Sequence, residues 1–349
     1  MDVSTARGVP ASLPLLVLRS CSCRFAAYYW MGFLAGLAAV DHLTVGRALA
    51  AVPMWLAFCV GTESVNRIAD READVINRPE RTALCEAIGW RRLTRIAVGA
   101  WLVFAASGAA LFALDPEPAF AAMIVVDIAI AIGYSIGPAF KRHRVLALLV
   151  LVLPLILPMV TGWATAPDAD ALGSPVLPAA AVLATFSLGL AGIKDITDVA
   201  GDRLLGYSSL WLTVVGFGRG AAVYALVVAP FALDAVFVVL HLLPVASLAV
   251  TPCVVVSAYV VRGASAAEST EERSVAREVM HSYTFLFLAA YLLAAMASPG
   301  MAAVAALGAC HWLLASRRLH WAPAITRAQL HRWAKTVVPS SRGGTVERV

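Results

Sequence analysis

Residues 66–81 read NRIADREADVINRPER, and further along the chain residues 194–206 read KDITDVAGDRLLG. On a helix, Asn66, Asp70 and Asp74 stand at i, i+4 and i+8 and drift only about 40° per step, so they share a face. Asp195, Asp198 and Asp202, at i, i+3 and i+7, do the same. Each stretch follows a long apolar run. Two clusters of carboxylates at the ends of hydrophobic helices are costly unless something cationic meets them, which makes them functional candidates. Hard oxygen ligands on two facing elements suit Mg²⁺, which takes one or two carboxylates, keeps several waters and bridges to phosphate oxygens.

The rest of the chain sets those motifs in a membrane. Of 349 residues, 60% are hydrophobic and 14% charged, and the mean hydropathy is +0.80. Apolar runs fall at 25–40, 48–66, 95–114, 119–139, 145–164, 176–193, 219–240, 243–261, 281–298 and 300–316, each near the length that crosses a bilayer. All are expected to be helical, because an isolated span must satisfy its own backbone. The fold expected is therefore an all-α polytopic bundle. The run 300–316 is the shortest and reads either as a tenth span or as an interfacial or re-entrant helix.

Charge sets the orientation. Segments before 25, at 67–95, 140–145, 194–219, 262–280 and after 316 hold 26 of the 27 Lys and Arg, and the alternate connections hold only Arg47. The positive-inside rule places both termini and both aspartate motifs in the cytosol. Residues 1–24 read as an uncleaved cytosolic or interfacial lead-in, since their apolar stretch is short and is followed by Arg19 and Arg24. The basic tail, 317–349, reads as a topology anchor against anionic lipid and not as a nucleic-acid arm. The six cysteines are scattered and give neither zinc spacing nor a disulfide framework. No Gly-rich phosphate loop or nucleophile elbow is present.

Two further stretches belong to the same end of the bundle. Tyr134 and Ser135 close the fourth run and lead to Lys141 and Arg142, while Asn77, Arg78, Pro79, Glu80 and Arg81 follow the first motif directly. Lys and Arg beside metal-binding acids are what a diphosphate site requires, because metals and cations divide the phosphate charge between them. Three acids lie inside apolar runs: Glu63 one turn before Asn66, Asp127 two turns before Tyr134, and Asp234. Each can orient an acceptor or take a proton, or can serve a hydrogen bond between helices.

These motifs resemble those of the UbiA superfamily of intramembrane prenyltransferases. The first family motif is Asn-Asp-x-x-Asp-x-x-x-Asp followed by Asn-Arg-Pro-x-Arg; here it is Asn66, Asp70, Asp74 and Asn77 to Arg81. The second, Asp-x-x-Asp-x-x-x-Asp, is matched by Asp195, Asp198 and Asp202, with Lys194 before it and Gly206 after it. Tyr134, Ser135, Lys141 and Arg142 match a further family segment, and Ala276, Arg277 and Glu278 through Tyr283 look like the entry to its last helix. The resemblance spans about residues 25–298. It implies a nine-helix core, to which 299–316 would add a span and 317–349 a tail. It also implies Mg²⁺, a prenyl diphosphate donor and a lipophilic or aromatic acceptor.

By position, Asn66, Asp70 and Asp74 would hold one metal, and Asp198 and Asp202 the other, with Asp195 in support. Arg78, Arg81, Lys141, Arg142 and Lys194 would hold the diphosphate. Glu63, Asp127, Tyr134 and Asp234 would be candidates for acceptor or proton handling. Two departures stand out: Arg67 occupies a position where the family usually has Asp, and Thr82, Ala83 and Leu84 replace the usual Pro-Leu-Pro. The activity implied is Mg²⁺-dependent ionisation of a prenyl diphosphate and transfer of the prenyl group, with catalysis resting on Asp70, Asp74, Asp198 and Asp202. The alternative is a terpene cyclase of the same superfamily, which uses the substrate's own alkene as nucleophile. A transporter is a distant alternative, since it needs no pair of metal-spaced triplets with cations at one end.

Overall fold

A computed structural model of the chain describes residues 12–166, 174–204 and 221–337, and among these it is helical with no strand. A short helix α1 (Leu13–Ser20) precedes α2 (Ala26–Ala39), α3 (Val45–Ala69), α4 (Arg71–Asn77), α5 (Pro79–Ile88), α6 (Trp90–Phe112), α7 (Pro118–Ser135) and α8 (Arg144–Trp163). Then come α9 (Val176–Leu190), α10 (Val199–Leu204), α11 (Ala221–Val239), α12 (Cys253–Ser265), α13 (Thr270–Ala295), α14 (Pro299–Arg318) and α15 (Arg327–Val337). Among the described residues, seven segments are long and apolar enough to cross a membrane, including Val45–Ala69, Thr270–Ala295 and Pro299–Arg318. The run expected over 300–316 is thus a helix of 20 residues.

Helix starts follow their local chemistry. Thr44 caps α3 by accepting from the Arg47 N–H, and Ser269 and Glu272 form a reciprocal capping box on α13. Packing inside a bilayer depends on close approach and not on expulsion of water, and α2 and α8 meet through small residues. A Cβ on Gly36 would lie 2.1 Å from the Met159 carbonyl oxygen, and one on Gly162 would lie 2.1 Å from that of Phe33. Either substitution would force these two backbones apart.

The helix α14 is built into the bundle. Trp312 stacks on Phe285 of α13 with ring centroids 4.6 Å apart, and His311 Nε2 lies 2.9 Å from the Cys23 carbonyl oxygen. Beyond α14 the chain turns back, and α15 docks on α12 and α13. There Trp333 is buried against Gly263, and Arg332 pairs with Glu271 at 2.5 Å. The turn between α14 and α15 carries His320 and Trp321 to the wall of the central cavity.

Candidate active site at the junction of two cavities

The two aspartate stretches do not form the continuous helices that their spacing predicts. The first is broken at Asp70, which ends α3 with φ −97° and ψ 12° and opens α4. The i to i+4 bonds nevertheless run through the break, from Asp70 N–H to the Asn66 carbonyl (2.9 Å) and from Asp74 N–H to that of Asp70 (2.8 Å). Asn66, Asp70 and Asp74 therefore keep a common face. The second stretch is looser: Asp195 ends a 3-10 turn, Asp198 lies in a turn, and α10 starts at Val199. The tighter 3-10 winding, with fewer residues per turn and a longer rise, places successive side chains differently from an α-helix. The Asp202 side chain and Gly206 lie outside the described residues.

Tertiary packing brings the stretches together. Asn77 Oδ1 accepts from the Gly201 N–H at 2.7 Å, and a Cβ on Gly201 would sit 2.7 Å from that amide, so glycine lets α4 approach α10. The result is a cavity of about 100 Å³ walled by Asn66, Asp70, Asp74, Asp195 and Asp198 together with Arg78, Arg81, Lys141, Arg142 and Lys194. All of these were singled out in the sequence.

In this cavity each of three acids faces a cation: Asp70 pairs with Lys141, Asp74 with Arg81 and Asp198 with Arg78. Arg78 donates to Asp198 through both Nε, at 3.0 Å from Oδ1, and Nη2. Lys141 Nζ also lies 3.2 Å from Asn66 Oδ1, which accepts in addition from Ser135 Oγ at 3.0 Å. Lys194 donates to the Tyr134 hydroxyl at 3.0 Å.

The charge states follow from these partners. Burial opposes the Arg78 charge, but the carboxylates of Asp198, Asp74 and Asp195 outweigh it and hold its pKa above the ordinary value. Burial alone would raise the Asp198 carboxyl, yet the Arg78 guanidinium keeps it below the usual carboxylate range. Lys141 goes the other way, since burial lowers its pKa more than Asp70 restores it.

A second, larger cavity of about 260 Å³ opens from the first, and the two share Asn66, Arg78, Arg81, Tyr134 and Lys194 as a neck. Its walls are apolar and aromatic, including Tyr28, Tyr29, Phe58, Leu153 and Pro158. Glu63 and Asp127 line it as well. Glu63 is paired with Arg67, which also donates to the Ser20 carbonyl, so the arginine that departs from the family motif is neutralised one turn back and not at the acids. Asp127 accepts from Thr161 at 2.9 Å. Asp234 lines neither cavity: Ser247 and Tyr291 hold its carboxylate at 3.1 and 3.3 Å, which is the helix-bridging role.

The same chamber contains a charged cluster that the spacing of the sequence did not reveal. Arg24 and Arg277 are 3% and 4% exposed, and Glu278 lies between them, 2.7 Å from Arg24 and 3.4 Å from Arg277. Arg277 reaches Thr197 at 2.8 Å, and Thr197 donates to Asp198 at 3.1 Å. Trp321 places its ring 5.1, 5.5 and 6.0 Å from the guanidinium carbons of Arg277, Arg81 and Arg78. Arg277 and Glu278 lie in a stretch the sequence had marked, but nothing in the spacing of Arg24, His320 or Trp321 tied them to it.

Whether the acid-lined cavity suits a divalent metal turns on its donors. Amide and carboxylate oxygens from both motifs face one space, which is the hard donor set Mg²⁺ prefers. Among the described residues no group of three or more acidic, histidine or cysteine side chains converges as ligands, because the carboxylates turn to Lys and Arg. The donor chemistry fits. Binding there would release the paired cations toward an incoming anion.

An α-helical bundle whose acid-lined cavity opens into an apolar chamber defines an intramembrane enzyme class, and the comparisons say which. A model of the UbiA prenyltransferase family matches residues 25–280. Digeranylgeranylglyceryl phosphate synthase of Halobacterium salinarum is 32% identical over 233 residues, covering 65% of this chain and 75% of that protein. A solved structure concerning a digeranylgeranylglyceryl phosphate synthase covers 81% of this chain and 98% of its own, with 17% identity and a TM-score of 0.55. That of a UbiA homolog from Archaeoglobus fulgidus bound to GPP and Mg²⁺ covers 87% and 99%, with 15% identity and a TM-score of 0.49. The chain belongs to the UbiA prenyltransferase family; it is a multi-pass integral membrane protein and a prenyltransferase.

Proposed function

We propose that the protein takes a prenyl diphosphate donor and transfers the prenyl group to a lipophilic acceptor, aromatic or otherwise, with the acid-lined cavity opening to the cytosolic side. The observation that carries this reading is the pair of cavities joined at Asn66, Arg78, Arg81, Tyr134 and Lys194. The smaller is built for a diphosphate, and the larger for a hydrocarbon together with a group that meets Arg24, Arg277 and Glu278. This second charged cluster supports an acceptor with a polar group over a terpene cyclase, whose nucleophile is the donor's own alkene. The relative named for a glyceryl phosphate lipid product fits an acceptor with a polar head.

Asn66, Asp70 and Asp74 on one side, and Asp195, Asp198 and Asp202 on the other, would hold Mg²⁺, which when bound offsets the diphosphate charge. Lys141, Arg142, Arg78, Arg81 and Lys194 take the remaining phosphate oxygens. The C1–O bond of the donor breaks with its electron pair going to the diphosphate, and cations fixed in advance stabilise that charge as it develops. Tyr134 lines the neck, where an aromatic ring would stabilise the allylic cation. The apolar walls keep water from that cation until an electron pair of the acceptor forms the new bond and a proton leaves.

The test uses the purified protein with Mg²⁺ and geranyl, farnesyl or geranylgeranyl diphosphate, first alone and then with 4-hydroxybenzoic acid, a hydroquinone or a monoalkyl glyceryl phosphate. Acceptor-dependent release of pyrophosphate with a prenylated product is expected. A cyclic hydrocarbon or terpene alcohol formed from the donor alone would overturn the transferase reading.

A further inference from the structure

The turn that follows α14 lies beyond residues 25–280, where the family model matches, and it carries His320 into the wall of the apolar chamber. His320 is 7% exposed; its Nε2 faces Glu278, and its Nδ1 has no hydrogen-bond partner among the described residues. A buried imidazole that leaves one nitrogen unsatisfied is costly in a structural role. Nε2 lies 3.5 Å from Glu278 Oε1, and the next residue, Trp321, covers Arg78 and Arg81 at the neck of the two cavities. The imidazole therefore stands in the acceptor chamber, one residue from the neck.

We infer that His320, backed by Glu278, is the catalytic group that takes the proton released when the acceptor is prenylated. This rests on the transferase reading. The balance is simple: the donor C1–O bond breaks, the acceptor forms a bond to C1, and the acceptor becomes a protonated ether or, for ring attack, an arenium ion. Its proton passes to Nδ1 of His320, and Nε2–H is then directed at the Glu278 carboxylate, which steadies the imidazolium. Water receives the proton after product leaves.

The titratable and charged groups around the ring are Glu278, Arg24, Arg277 and His281, and burial with the two guanidiniums pushes its pKa down to about 4. The imidazole is thus neutral at working pH and free to accept. So weak a base would not ionise an alcohol beforehand. It suffices for a protonated ether or an arenium ion, which are far stronger acids, so the proton moves after bond formation.

The experiment compares wild type with His320→Ala and His320→Asn, using the acceptor that wild type prenylates best. Asn keeps a polar side chain against Glu278 but takes no proton, and so covers the case in which the alanine variant fails to fold. Acceptor prenylation is expected to fall about 100-fold or more in both variants, in the range of general base catalysis. Donor KM and the slow release of pyrophosphate from donor alone should hold, and added imidazole should restore part of the rate of His320→Ala. Prenylation within about threefold of wild type in either folded variant overturns the inference, as does a loss that comes with raised donor KM and no imidazole rescue. If wild type makes a cyclic product from donor alone, the transferase reading itself has failed.

Discussion

Arg78 holds Asp198 through two parallel donors, Nε to Oδ1 at 3.0 Å and Nη2 to Oδ2, across 120 residues of chain. This fork ties the first aspartate motif to the second and places a guanidinium where the two cavities meet. A planar two-point contact of this kind is specific to arginine, and a lysine would reproduce only its charge.

Because the pair is only 12% and 19% exposed, each partner stabilises the other as well as lining the cavity. Asp198→Ala strands the Arg78 guanidinium, a loss of about 3–5 kcal/mol for a buried pair broken on one side. Removing both partners should cost less stability than the sum of the two single changes. Activity should stay lost in all three variants. Thermal melting of the four proteins of this cycle measures the first expectation and prenyl transfer the second; additive stabilities would show that the fork does not act as a unit.

The proposed metal site requires the charge of the acids apart from their packing. Asp70→Asn, Asp74→Asn and Asp198→Asn, which keep shape and remove charge, should each lower kcat by about 100-fold or more, the scale seen when one preorganised electrostatic group is lost. Chelation of Mg²⁺ with EDTA should do the same, and fresh Mg²⁺ should restore the rate. Full turnover in EDTA would show that the carboxylates bind no metal.

Acid should loosen this end of the bundle. Asp198 has a folded pKa below its unfolded value, which is near 3.9. Its contribution is therefore present above about pH 4 and is lost as pH falls through the lower folded value. The melting temperature in detergent should hold steady from neutral to about pH 5 and drop below about pH 4, and Asp198→Asn should flatten that drop. An identical acid profile in wild type and variant would assign the loss to other groups.

Orientation can be read with labels. The distribution of Lys and Arg expects residues 67–95, 194–219 and both termini on the cytosolic side. Single cysteines at Glu72 and Glu268, both in hydrophilic stretches, should react with an impermeant maleimide only after the inner face is opened. Labelling of intact cells at either position would reverse the orientation.

The amino-acid sequence by itself determined the class of fold and singled out the charged residues that wall the smaller cavity. Apolar runs near the thickness of a bilayer can only be helices, and carboxylates repeated at helical spacing beside Lys and Arg announce metal and phosphate chemistry wherever they fall. Local pattern is enough for both. What it overstated was regularity, since the break at Asp70 and the turn through Asp198 arise where two chain segments must meet at Asn77 and Gly201. The charged cluster of the larger chamber was decided by tertiary structure. Arg24, Arg277, Glu278, His320 and Trp321 come from α2's approach, α13 and the turn after α14, separated by up to 297 residues of chain, and no spacing links them. Asp127 and Asp234 show the same division: each is a lone acid in an apolar run. Only packing puts one in the chamber wall and pins the other between Ser247 and Tyr291. Periodicity reports which face of a helix a residue occupies, whereas the identity of what lies opposite is fixed only when the helices pack.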